Sequence, residues 1–171
     1  DNEQTLPSLL SARLNEKVVN LGVLGSSIQL QYMNAVHMIE QNIIPKGVFV
    51  LYPFTSRFLT FHNRGGRIIQ YGPSFAYKKD EVFTDYLSKA DRHEWMVNNA
   101  KSYNDYFLRG YKLLWKGVNV PVYEIGLEEG LADHTFFYKD ALDLSDGIHW
   151  GPLTNAKIAE TFETILNENT E

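Results

Sequence analysis

The chain has 171 residues, enough for one compact domain with a sizeable core. Its 44% hydrophobic and 22% charged residues are those of an ordinary globular protein, and a formal net charge of −5 argues against a nucleic-acid binder, which needs clustered Lys and Arg. The absence of cysteine excludes disulfides, cysteine nucleophiles and thiolate metal sites.

No apolar run approaches the ~18–20 residues of a membrane span. The first residues, Asp1-Asn2-Glu3-Gln4-Thr5, lack the basic and apolar regions of a signal peptide, and the compartment stays open. Pro7 predicts the opening of a short helix, Ser8 to about Leu14, with Leu9, Leu10 and Leu14 available to bury. Val18 to Val23 reads as a short buried strand. Leu24-Gly25-Ser26-Ser27 follows as a tight turn, with Ser27 a candidate N-cap. Ile28, Tyr32, Val36, Ile39 and Ile43 then recur at helical spacing.

Val48 to Tyr52 reads as a second strand, buried on both faces as parallel strands are, so a βαβ crossover from Val18–Val23 is expected. Pro53 stops it, leaving Thr55 and Ser56 at its C-terminal end. Phe58–Phe61 and Arg67–Tyr71 suggest a hairpin, and residues 58–90 read as an insertion or lid. Asp91 is a candidate N-cap, with Glu94 in the capping-box position, for a long helix from about Arg92 to Trp115. Gly117 is expected to end it. The next strand lies within Val118–Ile125, with Pro121 near its start. A long loop over Gly126–Asp143, with room for a helical turn, leads to the last helix, from Leu153 to about Leu166, with Leu153, Ala156, Ala159, Phe162 and Leu166 on its predicted buried face. The alternation of strands and helices predicts a single α/β domain over residues 1–171 with a mainly parallel sheet.

Chemistry concentrates just before that last helix. Asp146-Gly147-Ile148-His149 puts a carboxylate and an imidazole three residues apart on a Gly-containing turn. A carboxylate holding one ring N–H leaves the other ring nitrogen free to take a proton. The plain alternative is a local turn bond between the two. Ser26 and Ser27 stand on a strand-to-helix turn, the setting of a nucleophile elbow, so within these residues they are the bottom-up choice of nucleophile; helix capping is the competing role. His37, His62, His93 and His134 show no metal-ligand spacing, so no metal and no cofactor is expected. Arg64 and Arg67 beside two glycines read as a solvated turn.

The segment Asp146-Gly147-Ile148-His149-Trp150-Gly151-Pro152, with Ala156-Lys157-Ile158-Ala159 in the following helix, resembles the last block of the SGNH (GDSL-type) hydrolases. Val18-Val19-Asn20-Leu21-Gly22-Val23-Leu24-Gly25 resembles that family's second block, a strand reaching Asn-x-Gly-x-x-Gly. The resemblance implies a flavodoxin-like three-layer α/β/α sandwich and a serine hydrolase acting on an ester or O-acetyl group. It implies His149 as base and Asp146 as its orienter, with Gly25 giving a backbone N–H to the oxyanion. A small-molecule or carbohydrate ester would be the substrate, with neither nucleic acid nor a membrane span involved. Two departures stand out. The block carrying the nucleophilic Ser is expected before Asp1. The third block's Gly-x-Asn-Asp is replaced by Tyr52-Pro53-Phe54-Thr55-Ser56-Arg57, where only Thr55 or Ser56 offers an oxyanion hydroxyl. These departures keep a catalytically inactive binding or interaction module as the alternative.

Overall fold

A computed structural model describes residues 5–22, 27–55, 58–61, 68–71, 89–144 and 150–169. The described elements run in the order α1 (Leu6–Leu14), α2 (Ile28–Glu40), β1 (Val48–Tyr52), β2 (Phe58–Phe61), β3 (Ile68–Tyr71), α3 (Lys89–Gly117), β4 (Val122–Gly126), β5 (His134–Thr135) and α4 (Pro152–Glu168). Helices and parallel strands together make the chain a mixed α/β protein. Its contacts divide it into two compact units. One comprises Asp1–Leu21, Gly47–Tyr52 and Val122–Glu171; the other comprises Gly22–Lys46 and Pro53–Pro121.

The first unit holds a three-stranded parallel sheet in the order β1-β4-β5. Its register pairs Phe49 with Tyr123 and Leu51 with Ile125. Because side chains alternate along a strand, these four share one face. That face meets α1 and α4 in a core of Leu10, Tyr123, Ile125, Phe136, Ile158, Ala159, Phe162 and Ile165. Phe49 stacks on Tyr123 with centroids 4.9 Å apart and meets Phe162 edge-on at 5.5 Å. Burying each large apolar side chain here contributes about 1.5–3 kcal/mol. Arg13 on α1 and Glu163 on α4 add a surface ion pair at 2.6 Å. On the opposite sheet face Tyr52 is fully buried, and its hydroxyl donates to Glu124 Oε1 at 2.5 Å.

In the second unit α2 packs on α3, with the Tyr32 ring edge-on to Phe107 at 5.3 Å. Gly110 permits this approach, since a Cβ there would lie 2.9 Å from Tyr32 Cε2. Strands β2 and β3 form the expected antiparallel hairpin, Phe58 opposite Tyr71 and Phe61 opposite Ile68.

Several elements differ from expectation. Residues 17–22 form no strand, and Val19 and Leu21 are exposed. Val and Leu favour a strand only where a neighbour supplies a ladder, and this run lies outside the β1-β4-β5 sheet. The parallel pairing therefore joins β1 to β4, with α3 between them in sequence, and not Val18–Val23 to β1. Helix α3 begins by Lys89, so Asp91 lies inside it and does not cap it; Lys89 and Ala90 are good helix formers that extend the N-terminus. Its other end is Gly117, as expected, and the left-handed residue beyond it is Asn119 (φ 57°). Ile43 falls beyond the end of α2 and is exposed. The buried stripe of α4 is Thr154, Ile158, Ala159, Phe162 and Ile165, while Leu153 is 61% exposed. The long loop over Gly126–Asp143 holds the expected helical turn, a 3-10 turn at Tyr138–Asp140, and also the short strand β5, which was not expected. Among the described residues no helix is long and apolar enough to cross a membrane.

Candidate functional site

The site begins where the parallel sheet ends. Phe136 directly follows β5, and its N–H donates to the carbonyl of Gly126, the last residue of β4, at 2.9 Å. The Phe136 ring meets the Trp150 ring edge-on at 5.6 Å. Trp150 in turn forms an antiparallel bridge with Leu144, and Gly151 N–H donates to the Asp143 carbonyl at 3.1 Å. Residues 143–144 and 150–151 therefore make a paired stem at the C-terminal edge of the sheet. In open α/β sheets ligands bind at that edge. The chain between the two halves of the stem is 145–149, which contains Asp146 and His149; both lie outside the described residues.

The stem is locked to the start of α4. That helix has Gly151 as N-cap and Pro at its first turn, so no cap side chain is available locally to serve its exposed N–H groups. Asp143 takes that role from further up the chain. Its Oδ2 accepts from Leu153 N at 3.1 Å, and its Oδ1 accepts from Thr154 N at 2.8 Å. A carboxylate at a helix N-terminus is also favoured by the helix dipole. Thr154, fully buried, returns the contact: its Oγ1 accepts from Leu142 N at 3.0 Å and from Asp143 N at 3.1 Å. Its single hydrogen serves Asp143 Oδ1 at 2.8 Å or the Asp143 carbonyl at 2.9 Å. Both acceptor lone pairs and the donor of the hydroxyl are thus used. Gly151 is required here, because a Cβ at that position would collide with the Asp143 carboxylate. Partial burial pushes the Asp143 carboxyl up, but the N–H groups of Thr154 and Leu153 and the Thr154 hydroxyl outweigh it and hold it below the ordinary aspartate value.

The other candidates are placed as follows. Ser27 is described and fully buried. Its Oγ accepts from Leu30 N at 3.3 Å as the N-cap of α2, the capping role expected of it. Gly25, Ser26 and Ser56 lie outside the described residues. Thr55 is half-buried, and its carbonyl accepts from the side-chain amide of Asn104 at 2.5 Å. Asn104, on α3, is fully buried, so it fixes the segment that follows Pro53. His37 is exposed on α2, and His134 on β5 lies 3.7 Å from Glu168. Arg64 and Arg67 lie outside the described residues. Among the described residues no group of three His, Asp or Glu could hold a metal ion.

Sequence reasoning missed Asp143, Thr154 and Asn104. For the first pair a signal existed: Gly-Pro at the start of a helix has no cap of its own, so a polar partner must come from elsewhere. No comparable signal marks Asn104, because its partner is a backbone carbonyl far away in sequence. Comparison with known proteins gives no match to any family model, curated protein or solved structure.

Proposed function

We propose that the chain is a serine hydrolase of the SGNH type, acting on an ester or O-acetyl group of a small molecule or carbohydrate. Its sheet belongs, on this reading, to a three-layer α/β/α sandwich. His149 takes the proton of the nucleophilic Ser as that Ser attacks the acyl carbonyl, and Asp146 holds the imidazole in the right tautomer. The Gly25 N–H donates to the oxyanion, a contact typically worth ~2.7–4 kcal/mol in the transition state. His149 gives the Ser proton to the departing alcohol as the acyl-enzyme forms, and then as base takes a proton from the water that releases the acid and returns it to the Ser. The two matched blocks supply the roles of His149, Asp146 and Gly25; the nucleophilic Ser is in neither of them.

The observation that carries the reading is the order of the two motifs around a parallel sheet. Asn20 to Gly25 precedes β1 in the sequence, and Asp146 to His149 stand in the sequence between Leu144 and Trp150, which pair beyond the C-terminal end of β5. In the full-length protein His149→Ala is expected to lower hydrolysis of a short acyl ester by about 10³-fold or more. An unchanged rate would refute the assignment.

A second reading rests on the end of β1. Tyr52-Pro53-Phe54-Thr55 offers no Asn side chain to donate to an oxyanion. This feature suits an inactive relative that binds an ester without cleaving it. Full-length protein that retains an acetylated sugar yet releases no acetate would favour this second reading.

A further inference from the structure

We infer that the outer face of helix α3 is a docking surface for an acidic amphipathic helix of a partner protein. The helix sorts its residues by periodicity. Asn104, Leu108, Tyr111 and Trp115 recur at helical spacing and are all buried. The opposite side carries apolar residues where a solvated helix would carry charge. Tyr106 and Leu113, two turns apart, are 76% and 67% exposed, and Tyr103, one turn before Tyr106, is 55% exposed. A single exposed Leu needs no explanation, but a ridge of large side chains along one helix does.

The charge beside the ridge indicates its occupant. Arg109, Lys112 and Lys116 recur at helical spacing along one flank, and Asp105 is the single acid between Ser102 and Gly117. Arg109 and Lys116 are exposed, and neither has an ion-pair partner among the described residues. The chain carries a net charge of −5, so this row is a local reversal of its overall field. An apolar ridge with a charged flank is the form of a two-helix seam. The partner brings apolar residues to the ridge and opposite charge to the flank. From Tyr103 to Lys116 the surface runs about 20 Å at ~1.5 Å per residue, enough for about three to four turns of a partner helix. A second copy fits less well. An antiparallel two-fold pair would set each basic row against its equivalent, and like charges face to face disfavour it. A helix with acidic flanks on another protein meets both the ridge and the row.

Isothermal titration calorimetry tests this with two synthetic three-heptad peptides, both with Leu along the seam, one with Glu and one with Lys on the flanks. The Glu peptide is expected to bind about 10-fold or more tightly than the Lys peptide, with an affinity that falls as salt rises. Arg109→Glu combined with Lys116→Glu is expected to weaken the Glu peptide about 10-fold or more and to remove the preference. Tyr106→Ala combined with Leu113→Ala is expected to weaken it to a similar degree. All of these positions are exposed, so the variants keep the fold, which circular dichroism checks. Absence of binding, equal affinity for the two peptides, or an affinity untouched by both variant pairs overturns the inference. Binding to vesicles of anionic phospholipid without binding to the Glu peptide also overturns it, and assigns the face to a membrane surface. Self-association in sedimentation that Tyr106→Ala and Leu113→Ala abolish overturns it in favour of a second copy.

Discussion

Tyr52→Phe tests how the sheet accommodates a carboxylate. Tyr52 is 0% exposed, and its hydroxyl donates to Glu124 Oε1 at 2.5 Å. The register sets Val50 opposite Glu124 and Tyr52 opposite Gly126, so Tyr52 and Glu124 are diagonal neighbours on one face. Replacing Tyr by Phe changes the volume little, so the cavity contribution is small. What is lost is a hydrogen bond to a charged acceptor, about 1.5–3 kcal/mol. Glu124 is half-buried and retains further interactions, which favours the lower half of that range. For a protein of this size ~1 kcal/mol moves Tm by about 2–4 °C, so a loss of about 2 kcal/mol gives a fall of about 4–8 °C. Urea and thermal denaturation followed by circular dichroism measure it. The double-mutant cycle with Glu124→Val isolates the pair and should return a coupling of about 1–2 kcal/mol. A Tyr52→Phe loss under about 0.5 kcal/mol, with coupling near zero, would refute the reasoning.

Two further outcomes are expected. The Asp143 carboxyl sits below its ordinary value in the folded chain, so the unfolded chain binds its proton first. Its contribution is therefore fully present above the ordinary aspartate value of about 3.9 and is lost as pH falls through the lower folded value. Urea midpoints measured between about pH 6 and pH 2 should fall less steeply in Asp143→Asn than in the unmodified chain, and parallel curves would contradict the assignment. Phe162→Ala, at a residue 1% exposed and edge-on to Phe49, is expected to cost about 3–5 kcal/mol by chemical denaturation, and a loss below about 1.5 kcal/mol would show that the core collapses around the gap.

Elements with strong local signals were legible. Val48–Tyr52 is β1 as expected, because a run bounded by Gly47 and Pro53 has little freedom in its ends. The hairpin of β2 and β3 was also readable from its central turn residues. The face of α4 was legible in part: Ala159 and Phe162 are buried as expected and Leu166 packs against the core, but Leu153 is exposed and Thr154 and Ile158 take the inner positions. Hydropathy ranks Thr as a surface residue, and only the demand of Asp143 and Leu142 for a hydroxyl brings it inside. The run at Val18–Val23 fails for the opposite reason. Its composition suits a strand, but a strand is a relation between two segments, and composition reports only one. The candidate pair at Asp146 and His149 was visible as a motif, whereas its mounting was not, since that depends on bonds between residues on either side of it.

The chain on either side of residues 145–149 is held closely. Thr154 uses every hydrogen-bonding capacity of its hydroxyl within the stem, Gly151 tolerates no Cβ, and Trp150 packs against the residue that closes the sheet edge. Capping α4 uses the two bonds from Asp143 to Leu153 N and Thr154 N. The Leu144–Trp150 bridge, the Gly151-to-Asp143 backbone bond and the edge-on contact of Trp150 with Phe136 go beyond that need. Together they hold residues 142–144 and 150–154 to one another and to the end of the parallel sheet as one polar and aromatic joint.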